Sequence, residues 1–135
     1  FTYAFTMWEP EDEPNYVNLA VTLGYELNYP VQMASGNGGG DLSLLRCDKA
    51  NIILECMKPA EDGSGDLILR LYESNHERTD CVLHLSLPFS KILETDMLEG
   101  NGVEVPFIEG DCDCCGAEVD LAFRPFEIKT LRLKA

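Results

Sequence analysis

Residues 67–87 read LILRLYESNHERTDCVLHLSL, and two alternations of apolar and polar side chains frame a polar segment. Every second residue of each run is a leucine: Leu67, Leu69 and Leu71, then Leu83, Leu85 and Leu87. Arg70 falls on the opposite face of the first run, and His84 on that of the second. A period of two is typical of a strand with one buried face, so this stretch predicts two strands joined by a polar turn.

The same alternation recurs along most of the chain. It is found in the runs 1–7, 52–56, 103–107 and 119–123, and the runs 44–47, 91–98 and 126–133 are further strand candidates. In the run 52–56, Ile52, Leu54 and Cys56 are predicted to share a face. Short strands separated by Gly- and Asn-rich turns indicate a mainly β protein, folded as an antiparallel two-sheet β-sandwich.

One segment has a different period. In residues 15–28 the apolar side chains recur at intervals of three and four: Tyr16, Leu19, Ala20, Leu23 and Leu27. This spacing predicts one short N-terminal α-helix with a single apolar stripe. The acids of 11–13 and Pro14 precede it, which suits a helix N-terminus.

These patterns predict three parts. Residues 1–34 form a leading strand and helix that link to an upstream domain absent from this chain, 35–43 form a Gly-rich loop, and 44–135 form the C-terminal β-sandwich. Because the chain opens with Phe1 inside a strand-like run, we expect it to be part of a longer polypeptide. That opening strand is expected to pack on the sandwich or on a second copy, so a homo-oligomer is possible.

The net charge of the chain excludes some classes of binding partner. The 135 residues include 10 Lys and Arg against 24 Asp and Glu, a formal net charge of −14. An anionic surface repels phosphate groups, so we expect no nucleic-acid partner and no membrane partner. The sequence contains no apolar run near the roughly 20 residues of a spanning helix and no visible signal peptide. We therefore expect a cytoplasmic protein.

The six cysteines fall into two groups. Cys47, Cys56 and Cys81 lie in or beside strand-like runs, where reduced cysteine acts as a small apolar residue. The others, Cys112, Cys114 and Cys115, lie in the predicted turn 110–116 and are weak candidates for a metal or redox site. Their spacing contains no C-x-x-C pair, so exposed thiols are the favoured interpretation.

Candidate acid and base residues are equally sparse. The pairs Glu94/Asp96 and Asp111/Asp113 have the residue type of glycosidase carboxylates, but such spacing is common on solvated strands. His84 lies on the polar face of its strand, where a surface role is favoured. The sequence therefore predicts no catalytic residue, no cofactor-binding residue and no metal ligand beyond the weak cysteine candidates.

The last run contains a conflict of parity. Phe126 and Ile128 share one face of a regular strand, whereas Leu131 and Leu133 share the other. One extra residue in the strand would bring both pairs to the core. The sequence thus predicts a β-bulge near Lys129 and Thr130.

Several blocks of the sequence resemble the C-terminal region of glycoside hydrolase family 38 α-mannosidases. They occur in the order found in the family, and the last is the most specific: FTYA at 1–4, YELNYP at 25–30, NIILE at 51–55, KPAEDG at 58–63, ILRLYE at 68–73 and FRPFEIKTLRL at 123–133. The loops 35–41 and 110–116 depart from the family pattern.

The resemblance implies a C-terminal β-sandwich of a multidomain enzyme. The parent would hydrolyse α-mannosides, including oligosaccharides, with retention, using zinc and two aspartates in an upstream catalytic domain. None of those motifs lies in this chain. The expected function is therefore a non-catalytic accessory domain, with that catalytic domain as its partner.

Two alternatives remain open. A carbohydrate-binding module would use exposed aromatic side chains, for which the chain offers Trp8, Tyr16, Tyr25, Tyr29 and Tyr72. A metal or redox protein would use Cys112, Cys114 and Cys115. Core or interface packing is the favoured role for the aromatic residues.

Overall fold

A computed structural model of the chain describes residues 3–7, 9, 16–40, 42–112 and 115–135, and the side chains of these except Tyr16, Asp111, Cys112 and Cys115. The chain divides into two compact units, Phe1–Asp41 and Leu42–Ala135. The predicted division at 34 and 43 stays a prediction.

The first unit contains the predicted helix. α1 spans Tyr16–Asn28, and its C-terminal end is closed by a hydrogen bond of 2.7 Å from Asn28 Nδ2 to the Gly24 carbonyl. Residues 3–7 form no strand and their side chains are exposed, so the strand predicted for the opening run is wrong there. A period of two without neighbouring strands does not by itself supply pairing partners. Phe1, Trp8 and the acids of 11–13 lie outside the described residues.

The second unit is the predicted antiparallel two-sheet β-sandwich. One sheet has the strand order β1-β4-β8-β7 and the other β2-β3-β9-β5-β6, and every neighbouring pair is antiparallel. The strands are β1 Leu45–Cys47, β2 Ile52–Pro59, β3 Leu67–Glu73, β4 Thr79–Leu85, β5 Lys91–Thr95, β6 Val103–Val105, β7 Ile108–Cys112, β8 Cys115–Phe123 and β9 Ile128–Lys134. No helix in the described part of the chain is long and apolar enough to cross a bilayer.

The core lies between the two sheets and comes from the predicted alternations. Twelve buried apolar side chains form it: Ile52, Leu69, Leu71, Cys81, Leu83, Leu85, Ile92, Val119, Leu121, Phe123, Leu131 and Leu133. Each large aliphatic or aromatic side chain so buried contributes about 1.5–3 kcal/mol. All twelve belong to the second unit.

A β-bulge in β2 corrects one predicted face. The pairing of β2 with β3 shifts between Leu54, opposite Leu71, and Cys56, opposite Arg70. The extra residue turns Cys56 to the side of Arg70, away from the core. The prediction that Cys56 shares a face with Ile52 and Leu54 is therefore wrong.

The bulge predicted in β9 is also wrong. Residues Ile128 to Leu133 pair with β3 without interruption. Phe126 lies in the turn before the strand, and both it and Ile128 are exposed, at 61% and 53%. Since neither side chain enters the core, the parity conflict with Leu131 and Leu133 does not arise.

The outer side of the five-stranded sheet carries a network of charges, which we call the Arg132 face: Arg132, Lys134 and Lys58 with the loops 60–66 and 96–100. The Arg132 guanidinium contacts carboxylate oxygens of Asp62 and Asp66 at 2.6 Å each. Lys58 Nζ lies 2.6 Å from Glu99. The sequence places Ile68 on this outer side, opposite Arg132 and Lys58, and it is fully buried there. The loops thus close this part of the sheet.

Candidate functional site

Two turns meet at one end of the sandwich. Tyr72 pairs with Ile128 and Thr79 pairs with Phe123, so the β3–β4 turn and the β8–β9 turn leave their sheets side by side. We call this region the Glu73 end: Asn51, Glu73, the turn 74–78 and the turn 124–127. Sequence analysis did not single it out.

Glu73 joins the two turns. Its side chain is fully buried at the last position of β3. The carboxylate accepts hydrogen bonds from the backbone amides of Asn75 at 2.6 Å, Phe126 at 3.0 Å and Glu77 at 3.3 Å. A buried carboxylate needs such donors, because leaving it unpaired would be very costly. One side chain therefore holds two loops together.

The same donors decide the ionisation of Glu73. Burial raises its pKa, but the hydrogen bonds from Phe126, Asn51, Asn75 and Glu77 together outweigh burial and leave the pKa below its usual value. Glu73 is therefore ionised at neutral pH. This is opposite to the raised pKa that a catalytic carboxylic acid needs.

Asn51 connects this carboxylate to the rest of the sandwich. Its amide nitrogen donates to Glu73 Oε1 at 3.0 Å and to Thr79 Oγ1 at 2.7 Å, and all three side chains are buried. The Asn51 carbonyl accepts the Ser74 amide at 2.9 Å. Asn51 precedes β2, so three strands converge on one polar cluster.

The second turn is closed by Arg124 and Glu127. The Glu127 carboxylate accepts the backbone amide of Arg124 at 2.8 Å and its guanidinium at 2.7 Å. The Glu127 carbonyl accepts the Glu73 amide at 3.0 Å. Burial raises the Glu127 pKa, but these donors lower it overall.

The turns place two rings on the surface. His76 and Phe126 have φ angles of 62° and 58°, the left-handed region that non-glycine residues seldom adopt. Their rings stack with centroids 4.8 Å apart and planes 8° from parallel. Strained residues persist where the surroundings fix them, and they cluster at functional sites. The buried hydrogen bonds thus hold an exposed aromatic pair in one arrangement.

The predicted acid and base candidates are not brought together. Glu94 accepts a hydrogen bond from Lys129 at 2.8 Å, whereas Asp96 accepts the amides of Leu98 and Gly100 in the turn after β5. His84 Nδ1 lies 3.2 Å from Glu118, its cross-strand neighbour. The side chains of Asp111 and Asp113, and of Cys112, Cys114 and Cys115, lie outside those described.

The aromatic candidates are also dispersed. Tyr25 and Tyr29 stack with centroids 5.9 Å apart in the first unit. Tyr72 is half-buried, and the side chains of Trp8 and Tyr16 lie outside the described set. Sequence analysis missed Phe126, although its mismatch in parity with Leu131 and Leu133 was a signal that it lies outside the core.

One further group could hold a metal ion. Single ligand atoms of Cys47, Asp48 and Cys81 all lie within 4.8 Å of one another. Cys81 is a buried core residue and Cys47 packs against that core, as their small apolar character predicts. A hydrogen bond with the Cys81 thiol lowers the pKa of Cys47 to about 7, and the same contact raises the pKa of Cys81.

Comparison with known proteins agrees with this sandwich. The family described as "Glycosyl hydrolases family 38 C-terminal beta sandwich domain" matches residues 51–131, which include the Glu73 end. The chain is 30% identical over 118 residues to alpha-mannosidase 2C1 of Homo sapiens, and equally to that of Mus musculus. Each match covers 84% of this chain but only 11% of the relative's length.

Proposed function

Because the chain belongs to the glycosyl hydrolase family 38 C-terminal β-sandwich family, we propose that it is a non-catalytic accessory domain of an α-mannosidase. It spans 11% of the length of the curated relatives, which leaves most of such an enzyme to other regions. In that parent, retaining hydrolysis of α-mannosides and oligosaccharides, with zinc and two carboxylates, would belong to the catalytic domain. We assign none of this chain's residues to that zinc.

The observation that carries this proposal is the match of residues 51–131 to the C-terminal β-sandwich of the family, and the described carboxyl groups agree with it. A glycosidase acid needs a raised pKa. Every described carboxyl group with a clear shift has a lowered pKa: Asp48, Asp62, Asp66, Glu73, Asp96, Glu99 and Glu127. Each is held by backbone amides, hydroxyls or cations that shape a turn or fasten a loop. These groups are suited to structure and not to proton transfer.

The Glu73 end is the surface we propose for docking on the catalytic region of the same parent. Phe126 is 61% exposed there, and its stack with His76 is fixed before any partner arrives. Aromatic groups that need no ordering lose little entropy on binding. The Arg132 face is a poorer candidate, because its own loops already cover Ile68.

We also propose a cytoplasmic location, which the thiols support. The described cysteines Cys47, Cys56 and Cys81 are free, although two of their sulfur atoms lie close together. Unpaired thiols are typical of reducing compartments, which supports the proposal of a cytoplasmic protein.

The experiment is an activity assay of the purified chain on an aryl α-mannoside, with and without added zinc. We expect no turnover above buffer, while a family 38 parent assayed in parallel is active. Turnover that follows the purified chain through successive columns would overturn the non-catalytic assignment.

A carbohydrate-binding module is the second candidate, because the exposed Phe126 ring offers an apolar face of the kind on which sugars stack. Calorimetric titration with mannose separates the two functions. If the chain is an accessory domain, we expect mannose to bind weakly or not at all. Saturable micromolar binding that Phe126→Asn abolishes would favour the module.

A further inference from the structure

We propose that Cys47, Asp48 and Cys81 form a binding site for one thiolate-preferring divalent cation of the zinc class, at the edge of the four-stranded sheet. Cys47 faces Leu83 across β1 and β4, and Cys81 precedes Leu83 by two residues. Residues two apart on a strand share a face, so the two thiols lie on the same side of the sheet. Asp48 follows directly at the end of β1.

The size of the cluster suits a tetrahedral ion. Two thiolates bound about 2.3 Å from a tetrahedral zinc lie roughly 3.8 Å apart, and a carboxylate oxygen lies slightly closer to each. The three ligand atoms already lie within 4.8 Å of one another. Small side-chain adjustments therefore suffice, and water would take the fourth position.

The surroundings orient the carboxylate. Asp48 Oδ1 accepts the Val82 amide at 2.7 Å, the kind of outer hydrogen bond that holds ligating carboxylates. Asp48 Oδ2 lies 3.0 Å from Lys49 Nζ, which the metal ion would displace. Lys49 is exposed, so its ammonium can move into solvent at little cost.

Access comes at Asp48, the exposed member of the cluster, because the thiols of Cys47 and Cys81 face the core. A cavity of about 340 Å³ is lined by Asp48, Cys81 and the acids Asp80 and Asp120. Acidic side chains around a recess raise the local concentration of cations. Metal binding releases two thiol protons, as Zn²⁺ + 2 RSH → Zn(SR)₂ + 2 H⁺, so affinity rises with pH.

A disulfide is a weaker alternative for this pair. Diagonal cross-strand neighbours have Cα atoms about 7–8 Å apart, beyond the roughly 4.4–6.8 Å that disulfides span. A bound ion accommodates that separation, because it lies between the sulfur atoms. It would fasten β1, the short edge strand, to β4.

The test uses the full chain carrying Cys112→Ser, Cys114→Ser and Cys115→Ser, so that only three thiols remain. Under a phosphine reductant, Zn²⁺ is titrated against a chromophoric chelator, and Cd²⁺ is followed by its thiolate charge-transfer absorbance. We expect one equivalent of metal, one to two protons released per ion near neutral pH, where part of Cys47 is already ionised, and a higher melting temperature.

Cys47→Ser is expected to weaken Zn²⁺ binding by about 100-fold or more, and Asp48→Asn by about tenfold. The matched control is Cys56→Ser, in the other sheet, which should leave the affinity unchanged. If Cys47→Ser fails to fold, the test relies on Asp48→Asn, since the side chain of Asp48 is exposed. Absence of one-equivalent binding, unchanged binding in both variants, or a Cys47–Cys81 disulfide found by mass spectrometry without reductant would overturn the proposal.

Discussion

At the Glu73 end a buried carboxylate accepts hydrogen bonds from backbone amides of two turns, whereas at the Arg132 face a guanidinium holds two carboxylates of one turn. Glu73 uses neutral donors, so salt screens its interactions little. The Arg132 network combines a buried ion pair with Asp66 and a second pair with Asp62, whose carboxylate is about half exposed. The two regions fasten loops by different chemistry.

The two regions also differ in how much apolar surface they expose. The Arg132 face covers its apolar residue, Ile68, while the Glu73 end leaves Phe126 exposed beside His76. An apolar ring held outward by buried hydrogen bonds is suited to contact with a partner. A network that satisfies its own charges is suited to closing a surface. This contrast is why we place docking at the Glu73 end.

Substitution of Glu73 is expected to have the largest effect on the free energy of unfolding. Glu73→Ala leaves the amides of Asn75, Glu77 and Phe126 without their acceptor, and should lower the free energy of unfolding by about 3 kcal/mol. Glu73→Gln keeps a carbonyl acceptor and should cost about half as much. Urea denaturation measures both. The control is Glu61→Gln, at an exposed ion-pair residue. A loss of stability at Glu73 no greater than at Glu61 would contradict the role of Glu73 in joining the two turns.

Arg132→Met should have a smaller effect. The substitution keeps the apolar stem and removes the charge from Asp62 and Asp66, but Lys134 still contacts Asp66 at 2.7 Å. We expect the melting temperature to fall by roughly 5 °C at low salt. At about 1 M salt the difference should shrink through the Asp62 pair, because this carboxylate is about half exposed and the Debye length is only about 3 Å. If the fall in melting temperature caused by Glu73→Gln shrinks with salt as much as that caused by Arg132→Met, the two regions are not fastened by different chemistry.

Acid titration of the unchanged chain and of Arg132→Met isolates the contribution of the Arg132 face. The Ser64 hydroxyl and the Arg132 guanidinium lower the pKa of Asp62 from 3.8 to about 2. A lowered folded-state pKa contributes stability above the unfolded-state value, and this is lost as pH falls through the folded-state value. Stability should therefore fall between about pH 4 and pH 2. In Arg132→Met this part of the pH profile should flatten, as free energies of unfolding across the range will show.

Sequence alone predicted the sandwich well, because its core uses plain alternation: Leu69 and Leu71 on β3, and Leu83 and Leu85 on β4, are all fully buried. It failed where pairing partners decide the outcome, as at Cys56, turned outward by a bulge, and at Phe126, which lies in a turn.

The Glu73 end was not predictable for the same reason. Asn75 is close to Glu73 in sequence, but Asn51 and Phe126 are far from it and reach the carboxylate only through strand order. The contact of Cys47 with Cys81 likewise depends on the pairing of β1 with β4. The alternation of residues predicts which side chains share a face of a strand. It does not predict which residues from other strands lie near the end of that strand.

The smallest effect on the isolated chain is expected for the exposed rings. Asparagine adopts the left-handed region more readily than histidine or phenylalanine. In the double variant Phe126→Asn and His76→Asn, the relief of backbone strain should therefore offset the loss of ring stacking. The free energy of unfolding should change by no more than about 0.5 kcal/mol. Thermal and urea melts of the double variant check this. A large loss would mean that the rings serve the sandwich itself.

The most direct test of the docking proposal introduces this double substitution both into the isolated chain and into the proposed parent α-mannosidase, with Glu61→Gln as the control in each. We predict no change in the isolated chain, and in the parent a fall of roughly 5 °C in the temperature at which activity is lost. Glu61→Gln should change neither. If the double substitution changes the chain and the parent equally, or leaves the parent unchanged, the Glu73 end is not the docking surface.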